Sequence, residues 1–330
     1  MSEHEPVEVL LHAADLPDQW NQAAGRNPYL RKEALRILEE TNPCGQRYHL
    51  AGRSDNCSIA VTYQHRLDLL TFGPGSLRIP ATMIAIPCSV SHSGLRLRPG
   101  TRETMIRHLH GLPGMKLVLN TSESSLAGFH GGATLPTCIL DVAWPSFRDY
   151  VSAMRSHYRY RVLQARKRWK SVEASPIDIC RFDPELHRLY LNVHNRSTAK
   201  LEQLRAGFFR AFPAEIVVFR AQGKPIAFVQ MNQTGRETGF MFAGMDYSAL
   251  KTYDTYLNLL LYIIERGIEA GSETIDLGQT TEEVKCKLGC RTVARNLHVS
   301  HDNRFGDRIL KSLSGALGYK PKATEYRVFK

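Results

Sequence analysis

The stretch "AEIVVFRAQGKPIAFVQMNQTGRETGFMFAGMDY", residues 214–247, leaves the chain few choices. Three apolar runs of strand length are separated by Gln222-Gly223 and by Thr234-Gly235-Arg236, which are turn sequences. Strands joined this tightly run antiparallel, so the segment is a three-stranded meander. A nearly continuous apolar stretch, Thr252 to Ala270, reads as a buried helix, and Gly271 leads on to a short strand, Ile275-Asp276-Leu277. A meander followed by a buried helix and a further strand points to an α/β chain of the α+β kind.

Upstream, apolar residues recur at Met154, Tyr158, Val162, Ala165 and Trp169, the spacing of one narrow helix face starting near Val151. A strand is expected at Ser175–Phe182, with helices around Pro184–His194 and Leu201–Phe212. In the first half a helix is expected over Asn21–Glu40. Strands are expected at Arg47–Ala51, Ser58–Tyr63, Leu67–Phe72, from Thr82, and at Gly114–Asn120, with a helix at Arg102–His110. The Gly/Ser-rich stretch from Ser122 to Gly132 reads as a loop, and "TCILDVAWPSF" as a strand running out to Asp141. At 330 residues the chain exceeds one ordinary core, and Pro145 is the natural boundary, giving domains 1–144 and 145–330. Both halves share a loose order of helix, strands and helix.

Charge is informative through its location. Of the net +11, seven Lys/Arg fall between Arg155 and Lys170 without one acid. A stripe of that kind attracts phosphates of a cofactor, an acidic lipid or RNA. Seven scattered cysteines form no CxxC pair and read as reduced, mostly buried thiols. His108/His110 and His298/His301 lack a third ligand, so no metal is expected. HExxH, GxSxG, Walker A and GxGxxG patterns are absent. The longest apolar run, Tyr256–Ile264, contains Asn258 and is far short of a membrane span. With an acidic start, "MSEHEPVEV", a cytoplasmic protein is expected.

The segment "TIDLGQTTEEVKCKLG", residues 274–289, carries the chemistry. Thr280 and Glu283 fit a capping box, and Gly289 fits a left-handed stop after Leu288. Val284 and Leu288 would share the inner face of the short helix, placing Lys285 and Lys287 on its flanks. A cation then stands beside a strand's carboxyl end, where α/β folds commonly hold ligands.

Three stretches carry a family resemblance: "SHYRYRVLQARKR", "FMFAGMDYSALKTYDTYLNLLLYIIERGIEAGSETIDLGQ" and "TTEEVKCKLG". From about Pro145 to Ser300 the chain resembles the GNAT acyltransferase superfamily, in the branch that includes the Fem-type aminoacyl transferases. The resemblance implies two GNAT-like domains, each a mixed, mainly antiparallel sheet flanked by helices, with a ligand cleft between them. It implies transfer of an acyl group to a small-molecule or peptide amine. The donor is acyl-coenzyme A or another thioester, or else aminoacyl-tRNA as in Fem-type enzymes. One departure bears on the donor. The strand exit "GMDYSALKTYDTY" has no glycine after Gly244, whereas conventional GNAT enzymes grip the coenzyme A pyrophosphate with a glycine-rich loop.

By the same resemblance Lys285 stabilises the oxyanion, a role worth roughly 3–4 kcal/mol for a well-placed donor. Asp276, in the middle of an apolar strand, must be paired or face a cleft. Tyr256 is the candidate acid for the leaving group, with Gln279 and Asp254 as acceptor-binding residues. Arg159, Arg161, Arg166 and Arg196 are expected on the donor's phosphates, with Lys200 nearby. Each has a plainer alternative: a solvated lysine, a structural ion pair, a packed tyrosine, a charged helix face. A further alternative for the whole chain is an RNA-binding protein on a GNAT scaffold without catalysis, distinguished by RNA affinity indifferent to Lys285→Ala.

Overall fold

A computed structural model describes residues 6–53, 56–68, 77–88, 90–197, 201–317, 319–320 and 326–330, with side chains of 313–317 excepted. In chain order the elements begin with β1 (Glu8–Leu10), α1 (Asp18–Ala24), α2 (Lys32–Thr41), β2 (Arg47–Ala51), β3 (Ser58–Asp68) and β4 (Arg78–Ile84). Next come β5 (Leu95–Arg96), α3 (Arg102–His110), β6 (Met115–Thr121), β7 (His130–Asp141), α4 (Phe147–Ala153), α5 (Ser156–Arg168) and β8 (Val172–Ile177). They continue with α6 (Pro184–Arg196), α7 (Ala206–Ala211), β9 (Glu215–Ala221), β10 (Lys224–Thr234), β11 (Glu237–Met245) and α8 (Leu250–Tyr253). The last are α9 (Thr255–Glu269), β12 (Thr274–Asp276), α10 (Glu282–Cys286), β13 (Arg291–His301) and α11 (Arg304–Leu317).

The chain forms two compact units. One comprises residues 1–135, 201–204 and 294–321, and the other 136–200, 205–293 and 322–330. In the first, β1, β2, β3, β4, β6 and β13 are neighbours in that order. Its pairs are antiparallel except β4 with β6, where Thr82 faces Lys116. In the second the order is β7, β12, β11, β10, β9, β8, again antiparallel except for β11 with β12. Among the described residues each unit is thus a mixed, mainly antiparallel sheet with a single parallel pair. The residue 291–301 strand, which the sequence pattern did not reveal, completes the sheet of the first unit.

In the second unit the period-two alternation of β9 and β10 sends Val217, Phe219, Ala227 and Val229 to one face. There they meet Val162, Ala165 and Trp169 of the α5 segment and Leu260 and Ile264 of α9. Phe228 and Phe242 face the other way, into an aromatic cluster with Phe182, Tyr190, Phe208 and Phe209. Burying a side chain of this size stabilises by roughly 1.5–3 kcal/mol, so both faces are firmly covered. The first unit has its own clusters on the two sheet faces, around Ile84, Met105 and Val118 and around Met83, Leu117 and Val299.

Three expected helices are broken. The first is split between α1 and α2, where Gly25 takes φ +59° and Pro28 opens a 3-10 turn. The basic helix begins at Ser156, because Met154 pairs with Phe329, and Arg155 N–H donates to Val328 O at 2.9 Å. The long apolar helix is interrupted at Asp254, left-handed at φ +47°. The strand expected at Ser175–Phe182 lies earlier, at Val172–Ile177, and the helix expected from Leu201 spans only Ala206–Ala211. Of the strand expected over residues 67–72, Leu67 and Asp68 end β3 and the remainder lies outside the described residues, as does Lys200.

Candidate active site

The parallel pair sets the site. β11 and β12 are in register only at Glu237–Thr274, Thr238–Ile275 and Gly239–Asp276. β11 then continues to Met245 along β10, whereas the chain after Asp276 stays with β7: Leu277 N–H donates to Cys138 O at 2.9 Å and Cys138 N–H to Gly278 O at 3.0 Å. Among the described residues no strand pairs with β11 beyond Gly239 on that edge. The two strands therefore part toward their carboxyl ends. Asp246 N–H donates to Ile226 O of β10, so by alternation Ala243 and Met245 aim their peptide groups at the opened edge. Met245 O is taken there by Asn192 Nδ2 at 3.1 Å.

A strained loop borders the opening. Gly278, Thr280 and Thr281 have φ of +71°, +64° and +48°. Glycine accepts this, but each β-branched threonine is held in an unfavourable region that persists only where its surroundings impose it. Several contacts impose it here. Asp276 Oδ1 accepts from Gly278 N–H at 2.6 Å, and Lys285 Nζ donates to Gln279 O at 2.6 Å and Gly278 O at 3.2 Å. The Tyr256 hydroxyl bonds the Thr281 hydroxyl. Lys285, Asp276, Gln279 and Tyr256 are thereby brought to one loop.

Lys285 is nevertheless not the flanking cation that the sequence suggests. It is 1% exposed, on the inner side of α10, and burial pushes its pKa down from the usual 10.5, opposed by nearby Cys138, Cys290 and Asp276. Its ammonium holds the loop carbonyls. The capping box is also absent: α10 begins after Thr281, which makes no side-chain cap bond, while Glu283 pairs with Lys287 at 2.6 Å. Gly289 does turn left-handed, at φ +94°. Tyr256 is half-buried, and its phenol is pushed up to about 12, chiefly by burial and against the lowering effect of Thr281. It stays protonated at neutral pH, as a proton donor must.

The expected phosphate-binding arginines are engaged elsewhere. Arg161 and Arg168 close on Asp254 at 2.9 and 2.8 Å, so Asp254 is an ion-pair anchor rather than an open acceptor site. Arg166 pairs with Glu265 and lies over Phe147. Arg159 donates to Ser152 O and Met154 O at 3.3 and 3.2 Å, and Arg196 stacks 4.4 Å above Tyr247. Arg161 and Arg166, whose charges are matched by acids, have less to offer a phosphate, whereas Arg159 and Arg196 are held by carbonyls and a ring. The basic stripe and the lysine loop still meet at one place, the first turn of α9, where Asp254 holds the arginines and Tyr256 reaches Thr281. Asn258 fixes that turn, its Nδ2 donating to Ala165 O at 3.0 Å and Tyr253 O at 2.9 Å.

Sequence reasoning missed Thr281 and the amide edge of β11. Thr280 was read as a helix cap and its neighbour Thr281 was given no role, and a backbone N–H leaves no side-chain signal at all. Among the described residues, no helix is long and apolar enough to cross a membrane.

Comparison with known proteins accords with this geometry. Residues 156–285, from the start of α5 to Lys285, match a family model described as an acetyltransferase (GNAT) domain. No curated protein sequence matches the chain. The solved structure of FemX is similar at a TM-score of 0.56 and 10% identity, covering 88% of this chain and 96% of that one. L-PGS from Bacillus licheniformis gives 0.52 at 13% identity, with 84% and 93% covered. The C-terminal domain of a protein assigned as a lysylphosphatidylglycerol synthetase from Agrobacterium fabrum gives 0.51 at 13% identity, with 84% and 91% covered. Residues 156–285 therefore match a GNAT domain, and the chain, with its mixed sheets and parting parallel strands, shares its fold with FemX, L-PGS and the Agrobacterium fabrum domain.

Proposed function

We propose that the protein is an N-acyltransferase that moves an acyl group from an activated donor to an amine, in the opening between β11 and β12. The observation that carries this reading is the parting of those strands after Gly239 and Asp276, with a protonated phenol at the loop that borders it. An extended acyl donor laid along the free edge of β11 would receive the hydrogen bonds that β12 no longer makes. Its carbonyl oxygen would face the Ala243 amide, a fixed donor for the charge that develops on attack. The amine nitrogen bonds the carbonyl carbon, and the carbon–sulfur or carbon–oxygen bond then breaks. Tyr256 gives its proton to the leaving thiolate or alkoxide and recovers one from the attacking nitrogen, so the products are an amide and a free thiol or hydroxyl. Lys285 and Asp276 serve by holding the loop that carries Thr281, and hence the phenol.

Acyl-coenzyme A is the first donor to test. Aminoacyl-tRNA is favoured by one specific feature: the amides after β11 are already occupied. Ser248 N–H donates to Asp246 Oδ1 at 2.9 Å, Ala249 N–H to Asp246 O at 3.2 Å and Leu250 N–H to Tyr247 O at 3.3 Å. They offer no ready pyrophosphate cradle. Titrating labelled protein with acetyl-coenzyme A and with charged tRNA, while following the Ala243 and Met245 amide resonances, tests the site. Shifts at both amides with either donor support it, and binding by both donors without such shifts places the chemistry elsewhere.

A further inference from the structure

α11 carries an outward apolar ridge that is left exposed among the described residues. Phe305 is 74% exposed and Ile309 43%, four positions apart and so on one face of the helix. The inner face is separate: Leu310 is buried in a cluster with Met115, Leu297 and Val299. The acids of this segment are engaged. Asp307 accepts from His130 Nε2 at 2.9 Å and from His301 N–H at 3.0 Å, and Asp302 accepts from Gly114 N–H at 2.9 Å. Arg304, Arg308 and Lys311 are exposed and, at a spacing of four and three, form a row along the flank of the ridge.

An apolar ridge with a parallel row of cations matches the headgroup layer of an anionic bilayer, with the ring below the phosphates and the guanidiniums among them. We propose that the outer face of α11 docks the protein on an anionic lipid surface. Two apolar side chains are too few for a stable contact with a second copy, which needs roughly 800 Å² per partner. A nucleic-acid backbone would use the cations and leave Ile309 in water. A bilayer accepts a ridge of any length, and its affinity grows with the apolar area and positive charge presented. The helix, about 21 Å long at 1.5 Å per residue, would lie flat on that surface. Binding of this size is weak and reversible.

The test is flotation of the full chain with vesicles of phosphatidylcholine alone and with about 30% phosphatidylglycerol, at low and high salt. The expected result is partition into the anionic vesicles only, weakened by salt. Phe305→Ser with Ile309→Ser should lower it about tenfold or more, and Arg304→Glu with Arg308→Glu should lower it comparably. All four positions are exposed, so an unchanged melting curve verifies that each variant is folded. No partition at low salt overturns the proposal, as does partition that the apolar pair of substitutions leaves unchanged. A concentration-dependent dimer that the same pair abolishes, without vesicle binding, assigns the ridge to a second copy and also overturns it.

Discussion

Replacing Tyr256 by phenylalanine removes one oxygen and nothing else from the candidate site. The ring keeps its packing beside the core of the second unit, and the loss to folding is a single neutral hydroxyl bond to Thr281 in a half-buried setting, about 1 kcal/mol. If the phenol is the acid for the leaving group, the loss to the reaction is far larger, about 100- to 10,000-fold in kcat/KM. The two readouts separate a catalytic group from a strut. The assay is amide formation from labelled acetyl-coenzyme A or charged tRNA with a panel of primary amines, alongside urea unfolding. In the parent, the phenol pKa of about 12 keeps the acid protonated through mildly alkaline pH. The rate should therefore rise with pH as the acceptor amine loses its proton, without an alkaline fall below that value. In Tyr256→Phe the defect should shrink for donors with a good leaving group, such as aryl thioesters. Transfer within threefold of the parent would refute the role of the phenol, as would a defect equal for all leaving groups.

Three further outcomes are expected. Thr280→Gly removes a β-branched residue from φ +64° at an exposed position; relief of about 1–2 kcal/mol, less the chain entropy of glycine, should stabilise the protein by about 0.5–1 kcal/mol in urea unfolding. Gly244→Ala should destabilise by about 3 kcal/mol, because a Cβ there would lie 2.7 Å from the Tyr190 backbone nitrogen and 2.3 Å from the Phe228 ring. In the first unit His49 Nδ1 and His108 Nε2 lie 2.9 Å apart, and burial pushes His49 down to about 3 and His108 below 6.5. The folded pair binds fewer protons than the unfolded chain, so stability is present above pH 6.5 and is lost as pH falls toward 3. The urea midpoint followed from pH 7 to 4 should show that slope, and His49→Gln should flatten it.

Much of the second unit was legible in the sequence, because two turns and a buried helix fix a meander with little freedom. Gln222 and Gly223 do take positive φ, at 52° and 76°, as a tight hairpin demands. Periodicity located the buried faces of α5 and α9 but not their starting points. Those depend on Phe329 pairing with Met154 and on arginines from α5 closing around Asp254, and such long-range contacts have no local signature. The placement of Lys285 on a helix flank failed for a similar reason. Spacing assigned it to a flank, whereas the strained loop draws the ammonium inside to satisfy two carbonyls. The charge run was visible, but that Arg161, Arg166 and Arg168 within it are paired with Asp254 and Glu265, nearly a hundred residues away, was not. β13 and α11 lay beyond the segments whose patterns were strong enough to read.

The most direct test of the central claim is a donor-transfer experiment on the parent protein. Labelled acetyl-coenzyme A and labelled aminoacyl-tRNA are each incubated with primary amines, and the products are identified by mass. The account predicts an amide from one of these donors, formed in amounts exceeding the enzyme, together with release of the free thiol or the uncharged tRNA. Folded protein that binds neither donor and yields no amide from either would contradict it.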